Sequence, residues 1–229
     1  MEHNETHGYR YIVRFAQQRP ALDSQWDSPE WEQAGVLDVN QFRPESSDHR
    51  PRTQARLLYD AFGLYGIFRV EDRYVRCVHT RYMDQVYKDS CVEFFVHPYL
   101  EKGYFNFEFN CGGALLCSYI EDSTRTPDGF KRFTRLPEED GRQVALYHSM
   151  TSVVDPEITE PTEWRVAFFI PFNLLEKYVG LVLPVSGREW RANFYKCGDA
   201  TSHPHWASWA PVEALNFHLP HCFGTICFE

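Results

Sequence analysis

An all-β fold, an antiparallel β-sandwich of jelly-roll type with one or two short helices, is what the sequence predicts, and three observations predict it. Short windows rich in β-branched and aromatic residues recur along the chain, each bounded by turn formers. In the clearest window apolar and polar residues alternate: Phe105, Phe107 and Phe109 fall on one face, while Tyr104, Asn106, Glu108 and Asn110 fall on the other. Helical periodicity is nearly absent, so there are no crossover helices from which to build a parallel sheet.

Taken in order, residues 1–20 read as an N-terminal extension or a first strand. Strand windows follow at Thr53 to Tyr59, Gly63 to Val70, Ser90 to His97, Tyr104 to Asn110 and Ala114 to Tyr119. Further windows lie at Val144 to Ser152, Glu163 to Ile170, Trp190 to Lys196 and Gly224 to Phe228. Leu57 to Ile67 reads as a hairpin around a short turn. Two stretches look helical, Asp84 to Lys88 and Pro171 to Tyr178, the second with Pro at its start and Gly180 past its end. The polar stretches Arg43 to Arg52 and Glu121 to Gly141 read as long surface loops. No repeat or boundary divides the chain, so a single domain over 1–229 is expected.

Composition excludes several classes. A chain of 229 residues can bury roughly 70% of the surface its unfolded form exposes. With 16% aromatic residues (6 Trp, 13 Tyr, 18 Phe) and 24% charged, it is globular rather than disordered. No apolar run approaches the ~18 residues a spanning helix needs, so no membrane partner is expected. A net charge of −9 repels a phosphate backbone, so neither is nucleic acid. Seven cysteines, an odd number, and a start MEHNETHGYR without an apolar core favour reduced thiols and a cytoplasmic address. On that reading the sequon Asn4-Glu5-Thr6 is a chance match.

No catalytic signature is visible: no phosphate-cradling loop, nucleophile elbow, His-Glu-x-x-His or Cys-x-x-Cys. His203-Pro204-His205, with His218 and His221 nearby, reads either as a metal cluster or as a solvent-facing loop; neighbouring histidines on an extended chain point alternately, which favours the loop. Glu93 and Glu108 read either as paired carboxyls for glycoside hydrolysis or as a polar contact surface. Glu93 interrupts an apolar strand, so it must be paired or face a polar groove. Trp206 and Trp209 lie among small and turn-forming residues, where a flat ring beside hydroxyl-bonding groups suits a sugar.

The order of these motifs resembles carbohydrate-binding module family 9, a β-sandwich family related to DOMON-type domains. The resemblance rests on Trp31-Glu32-Gln33-Ala34, Thr53 to Asp60, Lys88-Asp89-Ser90-Cys91-Val92-Glu93-Phe94-Phe95 and Tyr104 to Asn110. It continues through Glu163 to Phe172, Trp190 to Lys196, Trp209-Ala210-Pro211 and Pro220 to Gly224. It implies a non-catalytic module, often attached to a xylanase or other glycanase, that holds a mono- or oligosaccharide between two aromatic rings. By position the rings would be Tyr87 and Trp209, with Trp206 as second choice, and the polar contacts Glu93, Glu108 and Asn193. The family also carries structural calcium; acidic loops here permit it without a dense Asp-x-Asp-x-Asp loop that demands it. No other cofactor is implied, and protein partners stay open. The rival readings are a glycosidase using Glu93 and Glu108, a haem site built on Met83 with His79 or His148, and an interaction module whose sugar site has decayed.

Overall fold

The structure, a computed structural model, describes residues 8–229; the sequon and the rest of the first seven residues lie outside them. In chain order the elements are β1 (Arg10–Phe15), α1 (Pro29–Glu32), β2 (Leu37–Asp38), β3 (Gln41–Phe42), β4 (Arg52–Tyr59) and β5 (Gly63–Asp72). Then come β6 (Val75–Cys77), β7 (Cys91–His97), β8 (Tyr104–Asn110), β9 (Leu115–Thr126), β10 (Gly129–Arg135) and α2 (Glu138–Gly141). The chain ends with β11 (Ala145–His148), β12 (Val154–Ile158), β13 (Thr162–Pro171), α3 (Phe172–Val179), β14 (Glu189–Cys197), β15 (Trp206–Ser208) and β16 (Gly224–Phe228).

One sheet runs β10-β9-β8-β7-β14-β16-β1 and the other β1-β4-β5-β13-β11. They share β1, whose residues 10–13 pair with β16 and whose Arg14 and Phe15 pair with β4. Both pairings are parallel; the other ladders are antiparallel, as the sequence predicts. RYIVRF alternates weakly and was readable only as an extension or first strand; it is the strand that joins the layers.

Between the sheets the inward faces interdigitate. Val92, Phe94 and Val96 of β7, Phe105, Phe107 and Phe109 of β8, and Phe68, Trp164 and Phe168 of the second sheet share one core. Phe168 lies 5.1 Å from Phe109 and 5.6 Å from Phe94, ring centre to ring centre. It fits because Gly66 sits directly opposite it, where a Cβ would meet its ring at 2.1 Å.

Two loop expectations separate. Residues 43–51 hold no strand, whereas Glu121 to Gly141 is not a loop: β9 continues to Thr126 and returns as β10. The hairpin turns through Pro127-Asp128, with Gly129 at φ +126°. Its far end is solvated on both faces, which removes the apolar alternation that marks a strand, and the Pro-Asp-Gly turn was the one available signal. The short pair β6–β12 was also missed. Of the helical stretches, Pro171 to Tyr178 forms α3, and Asp84 to Lys88 contains only a 3-10 turn at Val86–Lys88.

At one end of the sandwich a buried ion pair ties the sheets. Lys196 of β14 lies 3.4 Å from Asp72 at the end of β5, with both side chains fully buried. Asp72 also accepts from His49 Nε2 at 2.7 Å and Trp164 Nε1 at 3.0 Å. Burial pushes the Asp72 pKa up, but Lys196 and these bonds outweigh it and hold the carboxyl well below its ordinary range. Asp72→Asn leaves Lys196 without its counter-ion in a dry site, so a loss of about 3–5 kcal/mol is expected in urea unfolding; a loss under about 1 kcal/mol would show that the pair does not tie the sheets.

Candidate functional site

The outer face of the first sheet is polar yet buried: every residue of β7 and β8 is withdrawn from solvent. A cavity of about 640 Å3 opens onto it. The floor comes from alternate strand positions. Glu93 of β7 stands directly opposite Glu108 of β8, and beside Glu93 on the same face Cys197 of β14 stands opposite Cys91. The walls include Tyr87, Asp199, Trp206 and, from the long hairpin, Arg125, Phe130 and Phe133.

Local sequence fixes each wall. Asp89 is fully buried and accepts from the His79 backbone at 2.9 Å and Asn110 Nδ2 at 2.9 Å. Ser90 accepts from the Arg76 backbone through its hydroxyl. The Asp-Ser pair of the motif therefore pins the turn that carries Tyr87. Asp199 N donates to Tyr87 O at 3.1 Å, and Trp206 Nε1 donates to Asp199 Oδ1 at 2.7 Å, so turn and loop brace each other.

Tyr87, Glu93, Glu108 and Trp206 come together around this cavity. Trp209 and Asn193 do not, and both placements are corrected. Trp206 pairs with Cys197, a pocket residue, across the β14–β15 ladder. Three residues on, an extended chain points the other way. Trp209 accordingly packs in the core, edge-on to Tyr9 and Phe194 at 5.9 Å each, and is 7% exposed. The odd spacing of the two tryptophans was the signal that separates them. Asn193 is fully buried; it donates to Ala210 O and accepts from Ala210 N and Phe194 N, which fastens the segment after β15 to β14.

The histidine triplet is no solvent-facing loop, because His205 is 1% exposed and Lys196 Nζ donates to its Nε2 at 2.7 Å. Burial, then the Lys196 charge, lowers the His205 pKa to about 3, so the ring stays neutral. Met83, His79 and His148 each have separate partners and do not converge: Met83 Sδ accepts from Cys117 N, His79 pairs with Asp89 and His148 with Met150 O. Side-chain sets that could hold a metal among the described residues are His49/Asp72/His205, Cys91/Glu93/Cys197 and Glu213/His221/Cys222. None is the all-oxygen set calcium takes, and the first already contains the Lys196 ammonium.

The floor carboxyls are unusual. Glu108 Oε1 accepts from Asn106 Nδ2 at 2.7 Å, while its buried Oε2 has no partner. Glu93 Oε1 accepts from Cys197 Sγ at 3.2 Å. Burial, against the Asn106 bond, pushes Glu108 up to about 7, and burial with neighbouring acidic groups pushes Glu93 well above its ordinary value. Hydrolysis needs one acid and one base with their pKa values driven apart; here burial drives both the same way.

A β-sandwich with a ring-walled, carboxyl-floored pocket on one face defines a carbohydrate-binding module. The family model described as carbohydrate-binding family 9 matches residues 21–228, and the chain belongs to that family. Its role is non-catalytic carbohydrate binding. A solved structure of a candidate carbohydrate-binding protein from Bacteroides uniformis ATCC 8492 is similar at 25% identity and a TM-score of 0.83, covering 96% of this chain and 99% of that one. A carbohydrate binding module family 9 from Caldicellulosiruptor kristjanssonii, solved in complex with glucose, shares the fold at 13% identity and a TM-score of 0.61, covering 96% and 95%. Its complex with cellotriose gives 14% and 0.60, covering 96% and 93%. Among curated proteins none matches the chain. No helix of the described residues is long and apolar enough to cross a membrane.

The raised Glu108 pKa has a signed consequence. An unfolded Glu ionises near its ordinary value and the folded one only near 7, so its stabilising contribution is complete below about pH 4 and lost as pH rises through about 7. His205 and His218, buried neutral, slope the other way over part of this range, so the wild-type curve alone does not isolate the effect. Glu108→Gln is therefore expected to gain on wild type by about 1–3 kcal/mol between pH 5 and pH 8, measured by paired denaturant melts; a difference independent of pH would remove the assignment.

Proposed function

We propose that the pocket holds a single sugar unit, free or at the end of an oligosaccharide, between the rings of Tyr87 and Trp206. One observation carries the reading. Aromatic pairing is extensive in this protein, yet among the described residues neither Tyr87 nor Trp206 packs against another aromatic ring, and both wall the open cavity. Rings that wall an open cavity beside buried hydrogen-bonding groups match a sugar, whose C–H face needs packing and whose hydroxyls need acceptors and donors.

Asn106, Glu93 and Glu108 would bind the hydroxyls. A protonated carboxyl supplies a donor and an acceptor, so the raised pKa values suit a polyol better than two fixed carboxylates would. The glucose and cellotriose complexes of the Caldicellulosiruptor kristjanssonii module support gluco-configured sugars as first probes. Stacking plus two or three bonds to charged or acidic groups corresponds to affinities of roughly micromolar order. A decayed site would have its cleft filled by side chains, and the 640 Å3 cavity runs against that alternative.

Isothermal calorimetry with mono- and oligosaccharides tests the proposal. Tyr87→Ala and Trp206→Ala are each expected to weaken binding about tenfold or more with little change in melting temperature. Trp209→Ala should instead cost about 3–5 kcal/mol of stability. Absence of heat with every sugar tried, or a binding loss confined to Trp209→Ala, would sink the assignment.

A further inference from the structure

The cavity carries three carboxyl groups, Glu93, Glu108 and Asp199, and among the described residues none of them forms an ion pair. Glu108 is 5% exposed and its Oε2 has no partner. Glu93 stands directly opposite it on the neighbouring strand. The cationic side chains on the walls do not pair with these carboxyls: the Arg125 guanidinium lies instead over the Phe130 ring at 4.3 Å. Nor do the three acids converge closely enough to form a three-ligand metal set. The carboxyls are thus spread across the floor, and a cation carrying several donors can reach more than one of them.

We propose that the site prefers a sugar bearing a free amino group, whose ammonium sits on the Glu93–Glu108 pair while its ring packs between Tyr87 and Trp206. This inference rests on the sugar-site reading above. A neutral hydroxyl offers one donor and leaves the two buried carboxyls favouring their protonated form, whereas an ammonium favours the carboxylate, so its binding releases a proton. An ammonium offers three donors and a charge, enough to reach the free Glu108 oxygen and its neighbour together. Charge at the floor then discriminates between sugars of the same ring shape, because the preference comes from leaving the acids unmatched as much as from matching them.

The test is calorimetry at about pH 6.5 with glucose, glucosamine, which exchanges one hydroxyl for an ammonium, and N-acetylglucosamine, in which that nitrogen is neutral. The wild type is expected to bind glucosamine about tenfold tighter than glucose, and N-acetylglucosamine no tighter than glucose, as befits a charge-assisted contact. Glu108→Gln should bring the glucosamine-to-glucose ratio close to one, and Glu93→Gln supplies the same comparison should the first variant fail to fold. Glucose binding as tightly as glucosamine, or a ratio unchanged in both variants, would overturn the inference while leaving the sugar site intact. No heat with any of the three sugars would instead count against the site itself.

Discussion

The centre of the first sheet, strands β7 and β8, is buried on both faces, and most of the molecule follows from that. Its inner face packs against the second sheet in the ordinary way of a sandwich. Its outer face carries Glu93, Asn106, Glu108, Asn110 and Asn193, and a buried polar group without a partner costs about 1–3 kcal/mol. The covering segments therefore exist to satisfy it as much as to exclude water. Asn110 bonds Asp89, the His79 carbonyl and the Ala114 backbone; Asn106 bonds Ser118 N; Asn193 bonds Ala210 and Phe194; Tyr195 donates to Phe217 O. The cover stops at Glu93 and Glu108. At the pocket the protein partners thin out: Glu93 keeps only the Cys197 thiol and Glu108 only Asn106, with Glu108 Oε2 left unmatched.

The buried ion pair at the end of the sandwich reaches this pocket through the backbone. Lys196, held by Asp72, donates to His205, and His205 Nδ1 bonds the His203 carbonyl. The next residue is Trp206. Its backbone is fixed on the other side by the 43–47 loop: Arg43 N donates to Trp206 O at 2.8 Å, and Trp206 N donates to Ser46 Oγ at 3.0 Å. A ring used for stacking has to hold its angle against a ligand that pushes on one face only. Here that rigidity comes from a charge network on the inner side of the sheet, beyond the sugar's reach. With its pKa lowered to about 3, His205 stays neutral near neutral pH and keeps accepting from Lys196.

How much of this was legible depends on the physical signal each part leaves in sequence. The strands of the sandwich announce themselves because one face is apolar and the period is two; β7, β8 and β13 are read almost to the residue. Helix α3 is read from Pro171 and Gly180, residues whose backbone constraints are local. The far end of the β9–β10 hairpin is hidden, since a strand solvated on both faces has no reason to alternate. Of the residues singled out as candidates, Tyr87, Glu93, Glu108 and Trp206 meet around one cavity, while Asn193 and Trp209 are buried away from it. A buried amide that clamps the backbone and one that meets a ligand have the same chemistry, so residue type cannot separate them. The tryptophans differ only by the parity of their spacing, and that required knowing the segment was extended. His205 and Asp72 lie at non-equivalent places in the chain and meet only in the fold, so no local pattern connects them.

The aromatic content sharpens what the pocket can select. Rings fill the inter-sheet core, a second cluster of Trp26, Trp31 and Tyr65 outside the second sheet, and a third of Phe95, Tyr104, Tyr195 and Phe223 under the C-terminal cover. In the first and third, rings pair edge to face or stacked, while in the second Tyr65 pairs with Phe169 and the Arg56 and Arg69 guanidinium groups lie over Trp26. Tyr87 and Trp206 pair with no other ring among the described residues, and on the proposed reading a ring face on the open cavity accepts any pyranose with an unhindered C–H face at nearly the same gain. Stacking therefore sets whether a sugar binds but says little about which. Discrimination falls to the floor, where Glu108 offers an oxygen that the fold itself leaves unmatched. A ligand able to match it gains the bond and also relieves a cost the folded protein already carries, whereas one that cannot must bind over it. On the proposed reading, that asymmetry places the specificity of the site in two acidic residues on adjacent strands rather than in the rings that frame them.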